Sequence, residues 1–83
     1  MNEINYEKFV ADLVAPLLHH PNEMVVRVFS EEGDKIVLQI MINSEDVGRI
    51  IGKKGRIINS IRTIAYAFAA KNGKRIEISV DSF

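Results

Sequence analysis

Val47-Gly48-Arg49-Ile50-Ile51-Gly52-Lys53-Lys54-Gly55-Arg56-Ile57-Ile58 is the stretch on which the reading of this chain turns. Two glycines, Gly52 and Gly55, frame two lysines, with apolar-rich segments on both sides and no acidic residue inside. The pattern predicts a short helix, a tight backbone turn and a second helix that starts at once. Glycine lacks a Cβ, so it allows positive φ and the close approach of another backbone. The first amides of the second helix have no intrahelical partner, and the helix dipole draws anions to that end. Lys53 and Lys54 add full charge at the same point. The expected device is a phosphate clamp.

The segments on either side place that clamp within a fold. Ser44 is expected to cap the preceding helix, with Glu45 and Asp46 in the first turn, where the dipole favours negative charge. The following helix is expected from Arg56 towards Lys71, with Ile57, Ile58, Ile61, Ile64, Ala65 and Phe68 as its apolar stripe and Asn72-Gly73 as its stop. Upstream, Met24–Ser30 and Lys35–Ile42 are rich in β-branched residues, and Glu31-Glu32-Gly33-Asp34 supplies hairpin chemistry. Ile36, Leu38, Ile40 and Ile42 share one face of the second strand. Val37 and Met41 make its other face largely apolar, which points to a central position. Arg75–Asp81 alternates as a last strand, with Ile76, Ile78 and Val80 inward.

At the amino end, Asn5 can cap a helix starting at Tyr6, in which Phe9, Val10, Leu13, Val14, Leu17 and Leu18 recur at helical spacing. Pro16 should kink or divide it, and His19-His20-Pro21-Asn22 ends it. The expected order is α-β-β-α-α-β: an α+β fold whose three-stranded mixed sheet carries helices on one face. Strands one and two pair antiparallel, and strands two and three run parallel across the two-helix crossover.

Composition narrows the function. The 83 residues are 47% hydrophobic and 27% charged, which suits one small globular domain spanning 1–83. With no cysteine there is neither a disulfide framework nor thiolate chemistry. Met1–Asn5 lacks signal-peptide character, no apolar run is long enough to span a membrane, and a cytoplasmic location is expected.

Net charge is zero, but its distribution is uneven. Residues 1–46 hold three basic and nine acidic groups, whereas 47–76 hold eight basic groups and no acidic ones. Such asymmetry makes a positive field around the glycine-framed lysines.

These residues resemble a known family. Gly52-Lys53-Lys54-Gly55 at a junction of two helices is similar to the G-x-x-G signature of the KH domain. The element order resembles the type II, bacterial form. His20-Pro21 and the run Gly48–Arg56 are similar to the small stand-alone proteins of the KhpA family. The resemblance implies a single-stranded RNA module whose loop clamps about four nucleotides of backbone. By position, Gly52 and Gly55 would let the sugar-phosphate chain lie against the loop. Lys53 and Lys54 would supply charge, flanked by Arg49 and Arg56, and Gly48 and Ile51 would line the groove floor. Val47, Ile50, Ile58 and Ile61 would be core. The family further implies homodimers, or a complex with a KhpB (Jag)-type protein, and an RNA chaperone-like role linked to cell-wall synthesis and cell shape.

Other readings fit less well. A nucleotide-binding P-loop needs G-x-x-x-x-G-K-[ST] after a strand; here Gly48 and Gly52 stand one residue too close, and Lys54 takes the place of the serine or threonine. No nucleophile-base pair accompanies the loop, so no enzyme is expected. No cofactor or metal site is expected either: His19 and His20 do not share a helix face and lack further ligands. None of the six aromatics lies in 44–58, which disfavours a base-stacking platform. The second reading is a dimerisation or interaction module with weak RNA contact of its own, with Ala65, Ala67, Ala69 and Ala70 permitting close helix approach.

Overall fold

Strand β2 (Lys35–Ile42) forms the middle of a three-stranded sheet in the computed structural model, which describes residues 4–83. Its alternation settles that place: Ile36, Leu38, Ile40 and Ile42 are all buried on one face. β1 (Val25–Glu32) pairs with it antiparallel and β3 (Arg75–Ser82) pairs with it parallel. The order α-β-β-α-α-β and the mixed sheet are those of a type II KH domain. Residues 1–3, where the reading for a leader began, lie outside the described residues.

The helices cover the Ile36–Ile42 face. α1 (Tyr6–Val14) starts as expected, with Asn5 Oδ1 accepting from the Lys8 amide at 2.9 Å. Pro16 divides the element, and Ala15–Leu17 continues as a single 3₁₀ turn. α2 (Ser44–Ile51) and α3 (Arg56–Lys71) follow β2, joined by a 3₁₀ turn over Lys53–Gly55. Val10, Val14 and Leu18, Ile50, and Ile58, Ile61, Ala65 and Ala69 meet the sheet in one core. Tyr6 and Phe68 pack edge-on at 5.8 Å, and Phe9 stacks on Phe68 at 4.2 Å.

Six details differ from the sequence reading. The α2 cap is Asn43 rather than Ser44: Asn43 Oδ1 accepts from the Glu45 amide at 2.8 Å, and Ser44 is the first helical residue. β1 starts one residue later and runs two further, to Glu32, so the hairpin turn shrinks to Gly33-Asp34. The strand also changes phase. A bulge between Val28 and Ser30 leaves Phe29 without a partner, 67% exposed. An extra residue in one strand flips every side chain beyond it, which composition cannot reveal. Ile64 leaves the inward stripe and is 48% exposed, since the inward arc at that turn is filled by Ile61 and Ala65. Val47 is only partly buried against the core. The outer face of β2 is less apolar than Val37 and Met41 suggested. Gln39 stands between them, accepts from Arg27 Nε at 2.9 Å and donates to Asp81 Oδ2 at 2.9 Å, tying all three strands.

Candidate nucleic-acid interface

The turn between α2 and α3 needs its glycines for two different reasons. Gly52 has φ −64°, which any residue can adopt, but a Cβ there would collide with the Gly48 carbonyl oxygen. The Gly52 amide donates to that same oxygen at 2.9 Å, so the backbones are held in contact. Gly55 instead lies in the left-handed region at φ 73°. Lys53 and Lys54 share that region at φ 55° and 61°. Three consecutive left-handed residues, two of them with side chains, are a costly way to turn a chain, and such strain gathers at functional sites. The result is a knuckle that holds two lysines outward.

Behind the knuckle, α3 opens with Gly55 as its cap, and no side chain accepts from its first amides. Lys53, Lys54 and Arg56 are exposed. Among the described residues none of Arg49, Lys53, Lys54 and Arg56 forms an ion pair with a carboxylate. The Gly55 and Arg56 amides donate within the turn, to the Gly52 and Lys53 carbonyls, so what the knuckle offers an anion is unpaired positive charge at the positive end of the α3 dipole.

The predicted site residues come together around this turn. Gly48, Arg49 and Ile51 lie on α2 and are all exposed; a Cβ on Gly48 would meet nothing within 4 Å. Ile51, 43% exposed, is a large apolar side chain that the core does not use. Gly48 and Ile51 thus make a shallow, uncharged surface beside the cationic knuckle. Val47, assigned to the core, is half-buried, while Ile50, Ile58 and Ile61 are core as expected.

Two sets of residues escaped the sequence reading. On α3, the Asn59 side chain lies against the Gly55 position, and Asn59 Oδ1 faces Arg62 Nη1 at 3.4 Å. Arg62 Nη2 donates to the Ile78 carbonyl at 3.1 Å, which removes Arg62 from the free cations. On α2, Asp46 is fully buried, the one buried charged side chain among the described residues. Its carboxylate accepts from the amides of His19 at 2.8 Å and His20 at 3.0 Å. Burial pushes the Asp46 carboxyl up, but the two amide bonds and the neighbouring histidines outweigh it, and its pKa is lowered below 3.8. The His20 ring bonds Glu45 at 2.7 Å, which raises its pKa above 6.5 against a smaller opposing effect of desolvation. The sequence carried a faint signal for Asp46: an acid between a cap and an apolar run. A first-turn acid is equally well explained by the helix dipole, and nothing local points to residues 27 positions away.

Among the described residues no group of three or more His, Cys, Asp or Glu could hold a metal ion, and no helix is long and apolar enough to cross a membrane.

Comparison with known proteins shows that the chain belongs to the KhpA/KhpB KH-domain family. The family model for the KhpA/KhpB KH domain matches residues 7–80. The chain is 39% identical over 75 residues to the RNA-binding protein KhpA of Listeria monocytogenes, covering 89% of this chain and 96% of that protein. It is 33% identical over 81 residues to KhpA of Bacillus subtilis, covering 96% and 98%. Among solved structures, Aquifex aeolicus Era bound to GDP and aluminium fluoride superposes with a TM-score of 0.74 at 19% identity, over 99% of this chain. The chain spans about a third of that structure's length, 33%, and the likeness is one of fold.

Proposed function

From its membership of the KhpA/KhpB KH-domain family, we propose that this chain is a single KH domain over residues 1–83 that binds single-stranded RNA without catalysis. It grips the sugar-phosphate backbone with Gly52-Lys53-Lys54-Gly55. The relatives are named RNA-binding proteins. The observation that carries the assignment to this loop is the pair Lys53 and Lys54, held outward at positive φ in front of an uncapped helix start. A strained turn persists only where the surroundings impose it, and here it holds two cations at the positive end of the α3 dipole. Arg49 and Arg56 flank the phosphate path, and bases rest on Gly48 and Ile51. The aliphatic floor suits splayed bases without stacking, so the grip reads backbone more than sequence.

In this reading the protein works in the cytoplasm as an RNA chaperone and post-transcriptional regulator, with a KhpB (Jag)-type partner and a link to cell-wall and cell-shape homeostasis. Titrating a labelled single-stranded RNA by fluorescence anisotropy tests the grip. Affinity should fall with salt, with a log–log slope of about −1.5 to −3 for roughly two to four phosphate contacts. A salt-independent affinity would falsify it.

One observation favours a concurrent role as an interaction module. Leu17 and Ile64 are exposed at the rim of a groove between the α1 side and α3, lined also by Leu13, Ile57 and Ile61. This apolar strip, rather than the alanines, is the surface that suits a homodimer or a KhpB-type partner. Ala65 and Ala69 are spent within the core, and only Ala67 and Ala70 face outward. Pairing two short RNA sites raises apparent affinity without any new contact. If the groove is a dimer interface, I64D should halve the mass measured by light scattering and leave the affinity of one site unchanged; an unchanged dimer mass would clear the groove of that role.

A further inference from the structure

α2 has eight residues, too few to hold a helix in place by itself. Its apolar anchor is Ile50, fully buried in the core, with Val47 packed alongside. A single anchor fixes a helix along one line and leaves it free to pivot.

The second anchor is polar. Asp46 stands one turn before Ile50, and each of its oxygens takes one backbone N–H, Oδ1 from His19 and Oδ2 from His20. Both carboxylate oxygens are thus committed to a segment that reaches α2 from the other end of the chain. Three more contacts lie along the same seam: Asn43 Nδ2 donates to Glu23 Oε1 at 3.0 Å, the His20 ring meets Glu45, and Arg49 Nη2 meets His19 Nε2. Arginine only donates, so the partner that this contact requires at His19 Nε2 is an acceptor. Asp46 and Arg49 are three residues apart, hence on one side of α2. The side bolted to the histidine turn is the side that bears the cation flanking the knuckle.

We propose that the His19–His20 turn positions the RNA clamp, with Asp46 fixing the placement of α2 and His19 fixing the guanidinium of Arg49. Both are positioning residues, and this inference rests on the RNA-binding reading of the loop. Displacing the start of α2 about Ile50 carries Gly48, Ile51 and Gly52 with it, because Gly52 is hydrogen-bonded to Gly48. Binding groups must be held to a fraction of an ångström by the shell behind them. Asp46 is ionised in the folded state near neutrality, as its lowered pKa requires, and the two bonds keep their full charge-assisted strength there.

Four variants test this in the full chain against one labelled single-stranded RNA. D46N keeps the shape but places an amide where one N–H must be accepted. At a temperature where thermal melts show it folded, its dissociation constant should rise about fivefold to tenfold, the size of coupling through one shared network. The His19 and His20 amide resonances should move upfield with it. Lowered melting with wild-type affinity would reduce Asp46 to a purely structural group and overturn its part of the proposal. H19A is on the surface and keeps the test alive should D46N not fold. It should weaken binding about twofold to threefold, and H19Q, which restores an acceptor, should recover it. Wild-type affinity in folded H19A, or no recovery in H19Q, would overturn the role of His19. The charge-reversed K53D/K54D is the control on the premise. If it binds RNA as well as wild type, the loop is not the clamp. If it loses binding while folded D46N and H19A keep theirs, the clamp stands and the positioning idea fails.

Discussion

The two ends of α3 look alike in sequence. Each has a glycine in the left-handed region, Gly55 at φ 73° and Gly73 at φ 75°, and each is rich in cations. Before the helix stand Lys53 and Lys54, with Arg56 opening it; at its far end stand Lys71, Lys74 and Arg75. The structure separates them. At the carboxyl end the exposed carbonyls are used: the amides of Asn72 and Lys74 donate to Ala69, that of Gly73 to Ala70, and Asn72 Nδ2 to Phe68. Arg75 faces Asp34 at 3.6 Å, and the adjacent Glu77 takes Lys35 at 3.1 Å. At the amino end no side chain caps the helix and no carboxylate meets the lysines. The dipole also differs in sign, so only the amino end attracts anions. Counting cations finds both ends; pairing and dipole direction choose one. Sixteen residues make α3 roughly 24 Å long, about three Debye lengths at physiological salt. The acid-free stretch of sequence is therefore two separate basic clusters, and the distal one adds little to the field at the loop.

Charge reversal at each end sharpens this contrast most. K53D/K54D should weaken RNA binding roughly a hundredfold, the worth of two charge-assisted hydrogen bonds at about 1.5 kcal/mol each. Aspartate tolerates the left-handed region better than lysine, so the fold should not suffer. The matched K71D/K74D should change affinity by less than about twofold in 0.15 M salt. Equal losses in the two variants, measured by anisotropy at that salt, would mean that the whole helix acts as one field and would dissolve the distinction.

The glycines give a smaller effect, read in urea unfolding. G52A should destabilise by roughly 1–3 kcal/mol, because the new methyl meets the backbone oxygen of Gly48 rather than a side chain that could yield. G73A should cost about 1–2 kcal/mol, the penalty for a left-handed residue with a Cβ, with RNA affinity untouched. G48A should do the reverse. Its methyl enters open space and favours the helix, so stability should rise by about 0.5–1 kcal/mol while RNA affinity falls. A G48A protein that is more stable and binds as well as wild type would remove Gly48 from the groove floor.

What could be read from sequence follows from how far apart the interacting residues are. The α2–turn–α3 unit was legible because glycines, lysines and helix periodicity sit within a dozen residues. Strand β2 was legible because burial on one face repeats at every second position. The phase of β1 beyond Phe29 was not, since a bulge has no fixed residue signature. Ile64 was misplaced because a helix stripe drawn from composition is broader than the arc the sheet covers. The Asp46 seam was least legible: its acceptors face main-chain N–H groups, which every residue but proline possesses, so the identities of His19 and His20 carry no trace of it.

The smallest effect concerns pH, and it belongs to the amino-terminal side of the comparison alone. His20 bonds Glu45 at 2.7 Å and faces Glu23 at 3.5 Å, and its folded pKa is raised above 6.5. The folded state therefore binds the His20 proton more tightly than the unfolded chain does. That contribution is fully present below pH 6.5 and is lost as pH rises through the higher folded value. Asp46 works in the opposite direction: its lowered pKa gives a contribution present above pH 3.8 and lost as pH falls through the folded value. Between those limits both are in place, and the urea midpoint should pass through a shallow maximum on the acid side of neutrality. H20A should flatten the alkaline limb and reduce the acid limb only by the share of the Asp46 shift that the His20 charge supplies, whereas D46N should flatten the acid limb. Because Asn43, Glu45, Asp46 and Arg49 all meet the 19–23 segment, the same H20A protein should show its largest amide shifts in α2. Shifts centred instead on Asn72–Arg75 would show that the two ends of α3 are coupled after all.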